Sequence, residues 1–317
     1  MNKRFIIILT AIMLLAGCAP LQEKTDGKVQ IVATVFPLYD FAREIAGEDA
    51  DVKMLLKPGA EVHSYEPTPQ DIIAIQNCDV FLYIGGESDE WVRDVLASMD
   101  TSRMQVVALM ECVETMEEAE DGFAWSSEHT HDDHGRHDHE EAEYDEHIWT
   151  SPKNAIKMTE TIGQALQAAD ADHAAGYESR VTAYVKKLET LDKALIETIA
   201  NARRNLLIFA DRFPFLYLAR DYGLEYYAAY PGCSSEAEPS AATVASIIEK
   251  TKESNVPAVF YIELSNRLMA DTIAEATGVQ ELLLHSCQNV TKEEFERGES
   301  YLSLMEQNVA NLKIALN

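Results

Sequence analysis

Residues 29–56, VQIVATVFPLYDFAREIAGEDADVKMLL, contain two runs rich in β-branched and aliphatic residues on either side of a helix-like segment. The runs begin at Val29 and Val52, and each is typical of a buried strand. The segment between them, YDFAREIAGE from Tyr39, has the composition of a helix. Because strand, helix and strand follow one another, the stretch predicts a parallel βαβ unit.

The same alternation continues along the rest of the chain. Further strand-like runs begin at Asp79, Gln105, Leu206, Leu224, Ala258 and Glu281. Helical patterns lie at residues 69–77, 151–170, 239–255, 267–278 and 301–316. Two groups of four strands predict an α/β protein with two Rossmann-like lobes, each containing a mostly parallel four-stranded sheet.

A long helix is predicted between the two groups of strands. Its apolar stripe consists of Tyr177, Val181, Tyr184, Leu188, Leu191 and Leu195. About thirty helical residues would span about 45 Å, which suits a rigid connection between lobes. We therefore expect an N-terminal lobe at residues 29–170, a linking helix at 171–203 and a C-terminal lobe at 204–317.

The N-terminus has the features of a bacterial export signal. Residues 1–17 have Lys3 and Arg4 followed by an apolar run, and LLAGC at 14–18 resembles a lipobox. This pattern predicts a lipid anchor on Cys18, a flexible tether at residues 18–28 and a location on the extracytoplasmic face of the cell membrane. The alternative is cleavage at another site and free secretion.

Charge restricts the class of partner. The chain has 54 acidic and 26 basic residues, a net charge of −28. The negative electrostatic field disfavours binding to nucleic acid and suits a cationic ligand. The alternative is that the acidic residues only keep the protein soluble.

A low-complexity segment at about residues 126–143 is rich in histidine and acidic residues. Its imidazoles are His129, His131, His134, His137 and His139. Tracts of this composition bind zinc weakly and form no core, so the segment predicts an auxiliary metal-collecting loop. The alternative is a solvated acidic loop with no role in metal binding.

Other possible metal ligands lie at or just beyond predicted strand ends, or near a helix start. They are His63, His147, Asp211, Glu263 and His285. Because ligands of open α/β folds sit at the carboxyl ends of strands, donors from both lobes are expected to face one cleft. Asp145 lies two residues before His147. Carboxylates of this kind often orient a metal-binding imidazole through a hydrogen bond.

Four segments resemble the substrate-binding lipoproteins of zinc and manganese ABC importers. They are PGAEVHSYEPTPQDI (58–72), DEHIWTSPKNA (145–155), EAEPSAATVASII (236–248) and FYIELSNRLMADTIAEATG (260–278). The resemblance covers nearly all of the chain after the tether. It implies two α/β lobes joined by one long helix, a metal in the cleft between them, and an ABC permease as partner. We expect the receptor to be a monomer.

The resemblance places the first two metal ligands on His63 and His147. The third ligand of the family, His or Glu, falls on Ala210, which cannot ligate, and the fourth, Asp, falls on His285. We therefore predict a site of His63, His147 and His285, completed by water, Asp211 or Glu61. Three imidazoles favour Zn²⁺, whereas Mn²⁺ prefers oxygen-rich sites and remains the alternative. A similar His-rich insertion occurs in the zinc-type members of the family.

Two cysteines leave alternatives open. Cys233 and Cys287 either pair as a disulfide near His285, remain free thiols, or supply a thiolate to zinc.

The predicted function is that of a non-enzymatic receptor that captures Zn²⁺ and delivers it to a permease. The alternatives are a manganese or iron receptor, a zinc-dependent hydrolase with Glu263 as base, and an adhesin. The chain has no HExxH motif and no evident nucleophile motif, which disfavours the hydrolase.

Overall fold

The computed structural model describes residues 27–118, 144–230 and 240–317. Its strands are β1 (Val29–Ala33), β2 (Ala50–Met54), β3 (Val80–Tyr83), β4 (Gln105–Ala108), β5 (Leu206–Phe209), β6 (Glu225–Ala228), β7 (Ala258–Tyr261) and β8 (Gln280–Leu283). Its helices are α1 (Phe36–Ala46), α2 (Pro69–Asn77), α3 (Glu90–Ala97), α4 (Pro152–Ala169), α5 (Ala174–Ala200), α6 (Leu216–Tyr222), α7 (Ala241–Ser254), α8 (Leu268–Thr277), α9 (Lys292–Arg297) and α10 (Tyr301–Ala315).

The strands form two four-stranded parallel sheets, one in each half of the chain. The strand orders are β2-β1-β3-β4 and β6-β5-β7-β8, so both sheets have the same topology. The predicted fold class, two Rossmann-like lobes with parallel four-stranded sheets, is confirmed. The lobe boundaries at residues 170 and 204 stay a prediction.

Helix α5 joins the lobes. It contains 27 residues, which corresponds to about 40 Å. Its buried stripe is Tyr177, Tyr184, Leu188, Leu191 and Leu195, as predicted, whereas Val181 is half-buried. The helix contacts α1 and α4 of the first lobe and α10 of the second.

Gly163 allows α4 and α5 to approach closely. A Cβ atom at this position would lie 2.3 Å from Cγ2 of Val181, well inside van der Waals contact. A larger residue at 163 would therefore force the two helices apart.

One hydrophobic core runs through both lobes. It includes Ile31 and Leu82 of the first sheet, Leu188 of α5, and Phe209 and Phe260 of the second sheet. Two smaller clusters cover the remaining faces, around Phe81 in the first lobe and Val259 in the second. The lobes are therefore packed against each other through apolar side chains.

Hydrogen bonds also connect the lobes through the loop after β8, residues 284–291. The Gly59 amide donates to Val290 O at 2.7 Å, and Asn289 Nδ2 donates to the carbonyl oxygens of Lys57 and Ala60 at 2.9 and 2.8 Å. This loop therefore fixes the segment of the first lobe that lies just before His63.

The second lobe also reaches α1 and the segment before α4. The Tyr301 amide donates to Asp40 Oδ2 at 2.9 Å, and the Tyr301 hydroxyl donates to Trp149 O at 2.7 Å. The Trp149 indole donates to Ser286 O at 2.7 Å. No helix within the described ranges is long and apolar enough to cross a membrane.

Candidate metal centre

The structure brings two of the predicted ligands together. His63 lies in the loop after β2, and His147 lies just before the short turn that leads into α4. One ligand atom each from His63, His147 and Glu146 lies within 4.8 Å of the others. His147 and Glu146 are buried and His63 is half-buried, so the three donors form a compact group in the first lobe.

The contacts of Ser88 indicate the tautomer of His63. Nδ1 of His63 lies 3.2 Å from Oγ of Ser88, and this hydroxyl donates to Oε1 of Glu146 at 2.5 Å. Because a carboxylate only accepts, the hydroxyl proton is engaged with Glu146 and the Ser88 oxygen accepts from Nδ1–H of His63. The lone pair of His63 is then on Nε2, which is buried and has no hydrogen-bond partner in the described part of the chain.

Asp145 orients His147 in the same way. Its Oδ1 lies 3.3 Å from Nδ1 of His147 and accepts the His147 backbone N–H at 2.8 Å. The contact makes Nδ1 the protonated nitrogen, so both imidazoles take the tautomer with the Nε2 lone pair. Carboxylate–histidine contacts of this kind are the usual means of orienting a metal-binding imidazole.

Glu146 was not among the predicted site residues. Its Oε2 accepts the Ser88 backbone N–H at 3.0 Å. A Cβ atom at Gly86 would lie 2.5 Å from Cβ of Glu146, so only glycine at 86 admits this carboxylate. The close approach places a negative charge beside His63.

The environment of His63 favours the neutral form of its imidazole. Burial lowers its pKa, and the nearby His147 and Arg212 lower it further, against the opposing charges of Glu146 and Glu61. Behind the group, burial and the charge of Glu146 raise the pKa of Asp89 to about 7. A neutral imidazole is the form that binds a metal ion.

His285 lies in a different environment. Its Nδ1 accepts the Cys287 N–H at 2.9 Å and lies 3.6 Å from Oε2 of Glu263, while its Nε2 lies 3.7 Å from Oε2 of Glu294. Burial lowers the pKa of His285, but the two carboxylates outweigh burial and raise it above the ordinary value. The structure therefore does not group His285 with His63 and His147, and the three-histidine site stays a prediction.

The two predicted carboxylate ligands, Asp211 and Glu61, have different surroundings. Asp211 accepts the Arg212 N–H at 2.9 Å and the Ile262 N–H at 3.5 Å, and burial raises its pKa. Oε1 of Glu61 lies 3.7 Å from Nη1 of Arg212, and both residues line a cavity of about 30 Å³ between the lobes. Ala210 is buried at the end of β5 and offers no donor.

Several predicted residues lie outside the described ranges. They are Cys18, the histidines at 129, 131, 134, 137 and 139, and Cys233. Cys287 is described, and it is a free, buried thiol whose pKa is raised by burial.

A model of the family described as "Zinc-uptake complex component A periplasmic" matches residues 31–315. The chain is 33% identical over 313 residues to the zinc-binding lipoprotein AdcA of Streptococcus pneumoniae R6, covering 98% of this chain and 60% of that protein. It is 32% identical over 315 residues to the high-affinity zinc uptake system protein ZnuA of Bacillus subtilis 168, covering 98% of this chain and 96% of that protein.

Solved structures share the fold along nearly the whole described chain. The Zn(II)-bound ZnuA-like domain of S. pneumoniae AdcA is 32% identical with a TM-score of 0.74, and the likeness covers 92% of this chain and 99% of that one. The metal-dependent lipoprotein YcdH of B. subtilis is 30% identical with a TM-score of 0.76, covering 92% of this chain and 100% of that one. The chain thus spans about 60% of the length of the AdcA proteins and almost all of the B. subtilis protein.

Proposed function

The chain belongs to the zinc-uptake complex component A family, and from this premise we propose that it captures Zn²⁺ between its lobes and delivers the ion to an ABC permease. The observation that carries the proposal is the group of His63, His147 and Glu146, with both imidazoles in the tautomer that suits a metal. A site with two imidazoles and a carboxylate favours Zn²⁺ over Mn²⁺. The family is one of zinc-uptake receptors, so the hydrolase and adhesin alternatives are not retained.

We assign His63 and His147 as the first two ligands and the adjacent Glu146 carboxylate as the third. The fourth position is then taken by water, by Asp211 or His285 of the second lobe, or by Glu61 of the first lobe. His285 would have to turn away from Glu294 to reach the ion, since its Nε2 lies 3.7 Å from that carboxylate.

Metal analysis and competitive titration test this assignment. Elemental analysis of the purified protein should find one tightly bound zinc per chain in the cleft, and manganese in its place would contradict the choice of metal. The variants His63→Ala and His147→Ala should lose at least a hundredfold in zinc affinity. His173→Ala is the matched control, because His173 is exposed and contacts Asp170 at the turn before α5.

The variant His285→Ala distinguishes a site in which His285 is a ligand from one in which it is not. A loss comparable to that of His63→Ala would support a three-histidine site. Unchanged affinity would exclude His285 as a ligand and leave the fourth position to water or a carboxylate.

We further propose that the protein is a monomer anchored by lipid on Cys18 at the extracytoplasmic face of the membrane. The relative in S. pneumoniae is named a lipoprotein, which supports the anchor. Cys18→Ala should move the protein from the membrane fraction to the soluble fraction. Retention in the membrane fraction would exclude this anchor.

The His-rich segment is proposed to collect zinc for the cleft. Deleting residues 129–139 should reduce the zinc stoichiometry at high zinc and slow acquisition when zinc is scarce, while the affinity of the cleft is preserved. If stoichiometry and acquisition were both unchanged, the segment would have no collecting role.

A further inference from the structure

A positively charged side chain lies beside a site proposed to hold a cation. Arg212 follows β5 in the second lobe, two residues after Ala210, and its Nη1 lies 3.7 Å from Oε1 of Glu61 in the first lobe. Glu61 is two residues before His63. The ion pair therefore crosses the cleft next to one of the proposed ligands.

The position of Arg212 has an electrostatic effect on the site. Arg212 lines the same cavity as Glu61 and Val62, the two residues that directly precede His63 in the chain. Its guanidinium is therefore a positive charge at the edge of the proposed site. A divalent ion held by His63 would be repelled by this charge.

Stability does not account for this arginine. The separation of 3.7 Å is too long for a hydrogen bond, and the side chains of Arg212 and Glu61 are 27% and 49% exposed. Exposed ion pairs of this kind contribute little to the free energy of unfolding. Of the described residues that line the 30 Å³ cavity, Arg212 is the only cation, whereas Glu61 and Glu263 are acidic.

We propose that Arg212 weakens zinc binding and accelerates zinc release, by repelling the ion and by competing with it for the Glu61 carboxylate. The inference rests on the proposed function, since it concerns the affinity of the same cleft. A receptor that passes its ion to a permease must dissociate from it, and a fixed guanidinium at the cleft provides a constant opposing charge.

The test compares charge-removing variants by competitive zinc titration and stopped-flow release to a chelator. Arg212→Gln should bind zinc roughly tenfold more tightly than the wild type and release it more slowly. Arg297→Gln is the matched control, because it removes the same charge from the exposed end of α9 in the same lobe. Arg212→Lys, which keeps the charge, should remain within about threefold of the wild type.

Salt dependence and a second variant complete the test. The difference between wild type and Arg212→Gln should shrink as salt is raised, since screening shortens the reach of the guanidinium charge. Arg212→Met should raise the zinc affinity by the same factor. It replaces Arg212→Gln in the test if that variant does not fold. Affinity that is equal to or weaker than that of Arg297→Gln would overturn the inference. If the wild type itself bound no zinc, the proposed function would fail instead.

Discussion

Each imidazole of the candidate metal centre is oriented by a neighbouring polar group. Ser88 and Glu146 fix Nδ1 of His63, and Asp145 fixes Nδ1 of His147. Both contacts involve Nδ1, so they restrain each ring while the lone pair on Nε2 stays available to an ion. Preorganisation of this kind reduces the free-energy cost of binding.

The variant Ser88→Ala should lower zinc affinity by about ten- to a hundredfold, the range typical for loss of a group that orients a ligand. The Nδ1 proton of His63 would lose its acceptor, and Glu146 would lose one of its two donors. Competitive titration measures the change. Ser98→Ala is the control, because the Ser98 hydroxyl is exposed and donates only to Val95 O. Equal affinity in both variants would show that Ser88 has no orienting role.

The pair of His285 and Glu294 predicts a pH-dependent contribution to stability. The contact with His285 lowers the pKa of Glu294 to about 2, from an ordinary value of 4.5. The contribution of this carboxylate is therefore complete above pH 4.5 and is lost as the pH falls through about 2. Because the folded pKa of His285 is raised, the contribution of the pair also fades as the pH rises through that raised value.

We therefore expect Glu294→Gln to lower the free energy of unfolding by about 2 kcal/mol near pH 5 to 6, and by progressively less towards pH 2. Urea denaturation across that range measures the difference from the wild type. Glu293→Gln is the control, since Glu293 is the adjacent residue in α9 and is exposed. A constant difference between pH 2 and pH 6 would contradict the assignment.

Sequence patterns identified part of this site. His63 and His147 lie in ordered motifs, and the structure places them together as that reading predicted. The contact of Ser88 with Glu146 joins residues 58 positions apart, which no local pattern indicates. The orientation of His285 depends on the path of its own loop and on the contact with Glu294 of α9. Neither the loop path nor this contact could be predicted from local sequence patterns.

The ends of a helix or strand are predicted well only where the sequence carries a strong local signal, such as a capping box or a proline. Helix α2 has the predicted bounds, 69–77, because Thr68 and Asp71 form a capping box and Pro69 occupies the first turn. Helix α6 has 7 residues and an almost uniformly apolar first turn, so it shows no period and was not predicted. Helix α9 was also missed, although its Thr291–Glu294 capping box is a readable start signal.

The contact between α4 and α5 gives a prediction at this scale. Gly163→Ala should destabilise the protein by about 1 to 3 kcal/mol, because the new methyl group overlaps Val181, even though alanine favours the helix. Adding Val181→Ala should restore most of the loss. Thermal unfolding of both variants measures the effect.

Gly176→Ala in α5 is the matched control for this prediction. Its Cβ would make only ordinary contacts, the nearest at 3.4 Å from Arg180, so we expect it to be neutral or stabilising by up to about 1 kcal/mol. A Gly163→Ala variant as stable as Gly176→Ala would show that the helices separate without cost.

For the whole molecule, the shared core and the hydrogen bonds between lobes predict one cooperative unfolding transition. The loop at residues 284–291 binds the first lobe, and Trp149 of the first lobe donates to Ser286 of the second. Far-UV circular dichroism and tryptophan fluorescence should therefore report the same midpoint in urea. Two separate midpoints would show that the lobes unfold independently.

The link between Tyr301 and Asp40 has a consequence for the order in which the chain matures. These residues are 261 positions apart. The Tyr301 amide donates a hydrogen bond to the carboxylate of Asp40, which is buried in α1. During synthesis the first lobe emerges long before its partner in α10, so Asp40 stays without this donor until the last helix has been made. Formation of the complete first lobe is consequently a late event, and a chain truncated before α10 would expose apolar surface of both lobes to degradation.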